Sequence, residues 1–104
     1  MDITDFGWEH QPPEYDTGDY WFDGQFFITK RVKEEIPSIE ITMIYAHIKN
    51  LVQQKKGIDY LHVFLQKERD IKLFFIDQVT RQSLQSGEQP PEHHYCTLLF
   101  AEEY

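Results

Sequence analysis

The stretch EEIPSIEITMIYAHIKNLVQQKKG, residues 34–57, constrains the fold more than any other part of this chain. Its apolar side chains recur at helical spacing, which places them on one face of an amphipathic helix: Ile41, Ile44, Tyr45, Ile48, Leu51 and Val52. Pro37 suits the first turn of a helix, Ser38 is a candidate N-cap, and Gly57 is a natural stop. We predict a helix from about 37 to 56, whose apolar face requires a second layer to pack against.

Alternating segments around this helix supply that second layer. Residues 25–32 (QFFITKRV) predict a strand, and residues 59–66 and 71–79 predict an antiparallel hairpin. A polar loop over residues 80–94 precedes a last strand over residues 95–101. The order is therefore β-α-β-β-β, an α+β fold in which one main helix packs on a small antiparallel sheet. The sequence does not determine the strand order.

Acidic residues are concentrated at the amino end of the chain. Of 18 acids, seven lie in residues 1–25, which contain no Lys or Arg, while residues 26–104 hold eleven acids and ten bases. We call residues 1–25 the leader. Its glycines and the pair Pro12–Pro13 interrupt any regular period, so we expect an irregular segment with a short strand near residues 19–22. The predicted organisation is this acidic aromatic leader followed by a small α+β domain, residues 26–104.

The leader contains the main candidate site, in the stretch EYDTGDYWFDGQFF (residues 14–27). Acids spaced along an extended chain can steer a basic partner, and Tyr and Trp side chains often anchor protein interfaces. The predicted partner-binding residues are Glu14, Tyr15, Asp16, Asp19, Tyr20, Trp21 and Asp23. The alternative is that Trp8, Trp21 and Phe22 fold back over the sheet while the acids point to water.

The motif HHYC offers further candidate chemistry, through His93, His94 and Cys96. A structural zinc site needs four ligands, and the usual zinc-ligand spacing is absent here, so we predict no metal and no cofactor. Cys96 lies in an apolar strand, where it is expected to act as a small hydrophobic residue rather than as a nucleophile. No phosphate-binding glycine motif is present, and we assign no catalytic residue.

The remaining features bear on partners and compartment. The only basic cluster of note is KRVK (residues 30–33), so direct binding of nucleic acid is not expected. No run of about 18 apolar residues suggests a membrane span, and the first ten residues lack the pattern of a signal peptide. A single cysteine fits a reducing compartment, so we expect a cytoplasmic protein. The oligomeric state is left open.

Three segments of the chain resemble a family of short proteins from Gram-positive bacteria and their phages or mobile elements, which is described only as a domain of unknown function. These segments are FITKRVKEEIP (27–37), DYLHVF (59–64) and TLLFAEEY (97–104). The resemblance implies a protein of a bacterial host cell or phage, and no catalytic residues. The leader departs from the family pattern.

Together these observations predict a non-enzymatic interaction protein that blocks a basic, nucleic-acid-binding surface of a partner. The concrete form is a phage-type anti-CRISPR or anti-restriction inhibitor, whose partner is a nucleic-acid-guided or restriction nuclease of the host. The alternative is a bacterial accessory or regulatory binding module in which the leader is a structural wrap. A third possibility, from another class, is a small enzyme that uses His93, His94 or Cys96.

Overall fold

The predicted central helix forms as α2, Ser38–Lys55, in a computed structural model that describes residues 2–104. Pro37 rather than Ser38 is its N-cap, and Lys56, in the left-handed region at φ 58°, is its C-cap. Its buried face is the predicted apolar stripe, with Ile41, Ile44, Ile48 and Val52 buried and Leu51 only partly so. The amphipathic pattern therefore located this helix within one residue at each end.

The helix packs on a five-stranded mixed sheet in the order β1-β3-β4-β5-β2. The strands are β1 (Glu9–Gln11), β2 (Gln25–Ile28), β3 (Leu61–Gln66), β4 (Ile71–Asp77) and β5 (Tyr95–Phe100). The hairpin β3–β4 and the last strand β5 confirm the predicted positions, and both pairings are antiparallel. The expected fully antiparallel β-α-β-β-β sheet is wrong, because β2 pairs parallel with β5 and the leader adds β1 at the opposite edge. The long connection through α2 lets β2 and β5 run in the same direction.

Two short helices occupy segments that were predicted to be a strand and a loop. Residues 29–32 were expected to continue a strand, but Thr29 accepts a hydrogen bond from the backbone N–H of Val32 and caps α1, Lys30–Glu35. The predicted loop 80–94 contains α3, Arg81–Ser86, which Thr80 caps in the same way. Threonine at an N-cap satisfies a free backbone donor, so in both places one capping hydrogen bond favours a helical turn.

The leader is more regular than predicted and contributes to the core. It contains a 3-10 helix (Ile3–Phe6) and the edge strand β1, while the strand expected near residues 19–22 is reduced to one bridge between Tyr20 and Ile58. Trp8 and Phe22 are buried in the same core as α2. For these two rings the folded-back arrangement is the one observed, so the leader and residues 26–104 share one core.

A buried polar network joins the leader to α2 and β3. The carboxylate of Glu40 is 7% exposed; it accepts a 2.7 Å hydrogen bond from Trp8 Nε1 and pairs with the guanidinium of Arg69. Gln66 Nε2 donates to the backbone carbonyl of Phe6 at 2.7 Å. Burying a polar group costs the folded protein little stability when the group is hydrogen-bonded in this way.

We expect Arg69→Ala to lower the free energy of unfolding by about 1–3 kcal/mol, because it leaves the buried carboxylate of Glu40 without its cation. Urea denaturation followed by circular dichroism measures this loss. The matched control is Lys67→Ala, which breaks only an exposed 3.5 Å ion pair with Glu9 and is expected to cost less than about 1 kcal/mol. Equal losses of unfolding free energy in the two variants would contradict the role of Arg69 as the partner of the buried Glu40 carboxylate.

Within residues 2–104, no helix combines the length and the apolar character needed to cross a membrane.

Candidate functional site

The predicted leader site lies across the end of the sheet where β3 begins and β4 ends. Tyr20 exchanges two backbone hydrogen bonds with Ile58, of 3.1 and 3.0 Å. Phe22 has φ 50°, its N–H donates to Asp77 Oδ2 at 2.9 Å, and Lys49 Nζ donates to its carbonyl at 3.0 Å. A bulky residue persists in the left-handed region only where its surroundings hold it there. Residues 20–22 are therefore held against the core.

Two of the predicted acids form ion pairs within the molecule. Asp16 Oδ1 lies 2.9 Å from Lys55 Nζ, and Asp23 lies 3.0 Å from Arg81 and 2.9 Å from His94 Nε2. Partial burial acts to raise the pKa of Asp23, but the hydrogen bonds from His94 and Arg81 outweigh it, so this pKa lies below its ordinary value. Both carboxylates thus have cationic neighbours of their own.

Asp19 and Trp21 are also engaged locally. The carboxylate of Asp19 accepts hydrogen bonds from the backbone N–H of Gln82 at 2.8 Å and from Trp21 Nε1 at 3.1 Å. The guanidinium of Arg81 lies over the Trp21 ring, 3.6 Å from its centroid, in a cation–π contact. One face of the ring proposed as an anchor is therefore covered by the protein itself.

Glu14 and Tyr15 remain available. The Tyr15 side chain is 62% exposed, although its backbone N–H donates to Asp59 Oδ2 at 3.3 Å. Among residues 2–104, nothing forms an ion pair or a hydrogen bond with the Glu14 carboxylate. Tyr20 is half-buried, with its ring 5.9 Å from that of Tyr60. All seven predicted residues lie in one segment. Within residues 2–104, only the side chains of Glu14 and Tyr15 make no contact that stabilises the fold.

The structure brings together three histidines that sequence reasoning did not combine. His10 Nδ1 lies 3.0 Å from His47 Nε2, and His10 Nε2 lies 2.9 Å from His62 Nδ1. His62 Nε2 in turn lies 2.9 Å from the backbone carbonyl oxygen of Asp59. We call these three residues the histidine chain; it connects β1, α2 and β3. The only sequence signal is three separate histidines on elements that prove to be neighbours.

Hydrogen-bond chemistry assigns the tautomers in the histidine chain. A carbonyl oxygen only accepts, so His62 Nε2 carries the proton and His62 Nδ1 accepts from His10 Nε2. In this neutral arrangement His10 Nδ1 accepts from His47 Nε2. Burial lowers the pKa of His10 to about 3, with a further contribution from the other two rings, and burial also lowers the pKa values of His47 and His62. Protonation of the central ring, His10, would remove the acceptor that His47 needs.

A cavity of about 220 Å³ lies beside the histidine chain. Its lining residues are His10, Pro12, Pro13, Asp16, Leu51, Lys55, Ile58 and His62. The ring nitrogens of the chain face one another and do not converge on a common point. In the described residues no group of three or more His, Cys, Asp or Glu side chains is arranged to hold a metal ion.

The residues of the HHYC motif do not form a site. His94 contacts Asp23, His93 is exposed beside Gln89, and the Cys96 thiol is fully buried. Burial, reinforced by the nearby Asp77 carboxyl, raises the pKa of Cys96 to about 12. The thiol therefore stays protonated at neutral pH.

We expect Cys96 in the native protein to react with Ellman's reagent at pH 8 at least about 100-fold more slowly than in the urea-unfolded chain, because the thiol is both inaccessible and protonated. The absorbance of the released thiolate measures the rate. Labelling of the folded protein at the unfolded rate would contradict this and would favour the alternative in which Cys96 is a nucleophile.

Comparison with protein-family models, with curated proteins and with solved structures finds no match to this chain.

Proposed function

We propose that this chain is a non-enzymatic acidic interaction protein that binds a basic, nucleic-acid-binding surface of a partner protein. The observation that carries this proposal is the juxtaposition of an unpartnered acid and an exposed ring, Glu14 and Tyr15, in the acidic leader, where the backbone N–H of Tyr15 is tied to Asp59. A tyrosine side chain has few rotatable bonds, so it loses little conformational entropy when it binds. The net charge of −8 adds long-range attraction to a cationic groove.

The internal ion pairs of the leader are compatible with this proposal. Three of its seven acids, Glu9, Asp16 and Asp23, pair with a Lys or Arg of residues 2–104. These pairs are partly or largely exposed, and exposed pairs contribute only about 0–1 kcal/mol. A lysine or arginine of a partner can therefore replace Lys55 beside Asp16 at small cost.

The concrete form of the proposal is a phage-type inhibitor of a nucleic-acid-guided or restriction nuclease of a bacterial host. The leader holds seven acids and no Lys or Arg, and a groove that binds phosphates attracts such negative charge. The resemblance to proteins of Gram-positive bacteria and their mobile elements points to the same setting. The inhibitor would occupy the groove in which the nuclease binds phosphates. Because DNA could not bind there, the nuclease would stop cleaving it.

Competition for DNA tests this proposal directly. A panel of RNA-guided nuclease complexes and restriction endonucleases is incubated with a fluorescently labelled duplex and increasing amounts of the protein. We expect the protein to displace the duplex from at least one nuclease. The protein concentration needed for half-displacement is expected to be at least about tenfold higher at about 500 mM NaCl than at about 50 mM NaCl. Tyr15→Ala is expected to weaken the displacement about tenfold or more, and Glu14→Gln several-fold.

Matched controls separate the leader from general acidity. Tyr104→Ala removes another exposed tyrosine, and Glu68→Gln removes a charge at the hairpin turn at the other end of β3. Both are expected to displace DNA as well as the unmodified protein. Failure to displace DNA from any nuclease of the panel, or equal losses in controls and leader variants, would contradict the proposal.

A second candidate is an accessory or regulatory binding module in which the leader only completes the core. The burial of Trp8 and Phe22 and the pairing of Asp16 and Asp23 within the molecule favour this reading. It predicts a partner whose binding is insensitive to Glu14→Gln and Tyr15→Ala.

A further inference from the structure

Three tyrosines from two distant segments of the chain lie at the end of the sheet where β3 begins. Tyr20 and Ile58 form an antiparallel bridge, so this part of the leader runs beside the residues that precede β3. The Tyr20 ring lies 5.9 Å from that of Tyr60, at an interplanar angle of 53°. We call Tyr15, Tyr20 and Tyr60 the tyrosine patch. Tyr60 lies outside the leader and is not among the predicted site residues.

One buried carboxylate fixes the backbone of this patch. Asp59 is 8% exposed; its Oδ1 accepts from the N–H of Tyr60 at 2.8 Å, and its Oδ2 accepts from the N–H of Tyr15 at 3.3 Å. Gly18 allows the close approach of the leader, since a Cβ there would lie 2.2 Å from the carbonyl oxygen of Ile58. Two exposed tyrosines, Tyr15 at 62% and Tyr60 at 41%, therefore extend from backbone positions that bind the same carboxylate.

The tyrosine patch lies in a region of negative potential. Burial raises the pKa of Tyr20, and the carboxyls of Asp77, Asp59 and Asp19 raise it further, as does the hydroxyl of Tyr60. Carboxyls that disfavour a negative charge on this hydroxyl favour a positive charge beside it. Asp59 and Asp77 are buried, so salt screens their fields less than those of exposed acids. The aromatic rings attract the same kind of group, because the face of an aromatic ring is negative.

The described part of the chain places no cation of its own in this patch. Within residues 2–104, the cation–π contacts use tryptophan or phenylalanine rings and no tyrosine ring. The ion pairs in the same range include none of Asp19, Asp59 and Asp77. In this respect the patch differs from Asp16 and Asp23, which have cationic neighbours. A cation that binds here has to come from a partner.

We infer that the tyrosine patch binds the guanidinium group of an arginine on the partner protein. A guanidinium stacks on aromatic faces and is more weakly hydrated than the ammonium of lysine, so it enters an aromatic site more readily. Tyrosine hydroxyls can accept hydrogen bonds from its N–H donors. Arginine also binds phosphates through paired hydrogen bonds, so it is common in grooves that hold nucleic acid. The inference rests on the proposed function and extends it, because it names the partner group and adds Tyr60 to the binding surface.

Titration with short peptides tests the patch without any nuclease. The isotopically labelled full chain is titrated with acetyl-Gly-Arg-Gly-amide at about 50 mM NaCl, and the backbone amide NMR shifts are followed. The same peptide with lysine, or with citrulline as a neutral analogue of arginine, controls for charge and shape. We expect saturable shifts centred on residues 15–20 and 58–60. The Kd of the arginine peptide is expected to be at least about threefold lower than that of the lysine peptide, and the citrulline peptide is expected not to saturate.

Tyr60→Ala separates the inference from a role of the leader alone. It is expected to raise the Kd of the arginine peptide at least about threefold. Tyr104→Ala, which removes another exposed tyrosine, is expected to leave that Kd unchanged. In the competition with labelled DNA, Tyr60→Ala is expected to weaken displacement at least about threefold. Circular dichroism checks that each variant is folded, and should Tyr60→Ala unfold, the position of the shifts in the unmodified protein decides.

The inference and the proposed function fail in different ways. Saturable binding of the arginine peptide at the patch, with no displacement of DNA from any nuclease, would support the arginine site and contradict nuclease inhibition. Displacement of DNA that Tyr60→Ala leaves unchanged would overturn the arginine site and leave nuclease inhibition standing. Equal affinity for the arginine and lysine peptides, or shifts spread over the whole acidic surface, would also overturn the arginine site.

Discussion

Replacing Phe22 with alanine is expected to lower the free energy of unfolding by about 3–5 kcal/mol, the cost typical of removing a fully buried aromatic ring. Phe22 is 0% exposed, and its ring makes an edge contact with Phe75 at a centroid distance of 4.8 Å. A small domain has a total stability of about 5–15 kcal/mol, so this single change removes a large fraction of it. Urea denaturation of both proteins measures the difference.

The matched control is Tyr15→Ala, which removes an aromatic ring from the same leader segment but from an exposed position. It is expected to change the free energy of unfolding by less than about 0.5 kcal/mol. If both variants lost the same stability, the leader would not pack as observed. Because the leader contributes to the core, its deletion would unfold the protein, and point substitutions are the proper probe of its binding role.

Acidification is expected to destabilise the protein steeply through the histidine chain. The pKa of His10 is about 3 in the folded protein and about 6.5 in the unfolded chain, so between these values the unfolded chain binds a proton that the folded protein excludes. This one group lowers the free energy of unfolding by up to about 1.4 kcal/mol per pH unit as the pH falls from 6.5. The lowered pKa values of His47 and His62 act in the same direction. Denaturation curves from pH 7.5 to pH 4 measure the slope.

Several charged groups face the histidine chain or titrate nearby. Asp2 acts to raise the pKa of His47, and Asp59 acts to raise that of His62, but in both cases burial outweighs the carboxyl. Burial raises the pKa of Asp77, so its titration stabilises the folded protein on acidification and opposes the histidines. Since this contribution is common to all variants, differences between variants isolate the histidines.

The informative variant is His10→Gln, which removes the central titrating ring and is expected to flatten the pH dependence between pH 6.5 and pH 4. His93→Gln removes an exposed histidine and is expected to leave the slope unchanged. A slope that is identical in the unmodified protein and in His10→Gln would show that the histidine chain is not buried in neutral form.

Local sequence patterns predicted the elements whose packing is set by one apolar face. The helix α2, the hairpin β3–β4 and the strand β5 all appear where periodicity placed them, because burying a stripe or an alternating face requires that period. The boundary between β2 and α1 was missed, since one capping hydrogen bond, which the Thr29 side chain accepts from Val32 N–H, competed with the strand pattern. The same competition produced α3 in the predicted loop.

For the candidate site, the sequence alone determined its composition: the charge asymmetry, the seven clustered site residues, and a cysteine in an apolar strand. Only the tertiary structure decided which of those residues remain free, because Lys55, Arg81 and His94 reach the leader from distant parts of the chain. The parallel pairing of β2 with β5 and the histidine chain likewise join residues far apart in sequence. Periodicity reports which side of an element is buried, but it carries no information about which distant element is buried against it.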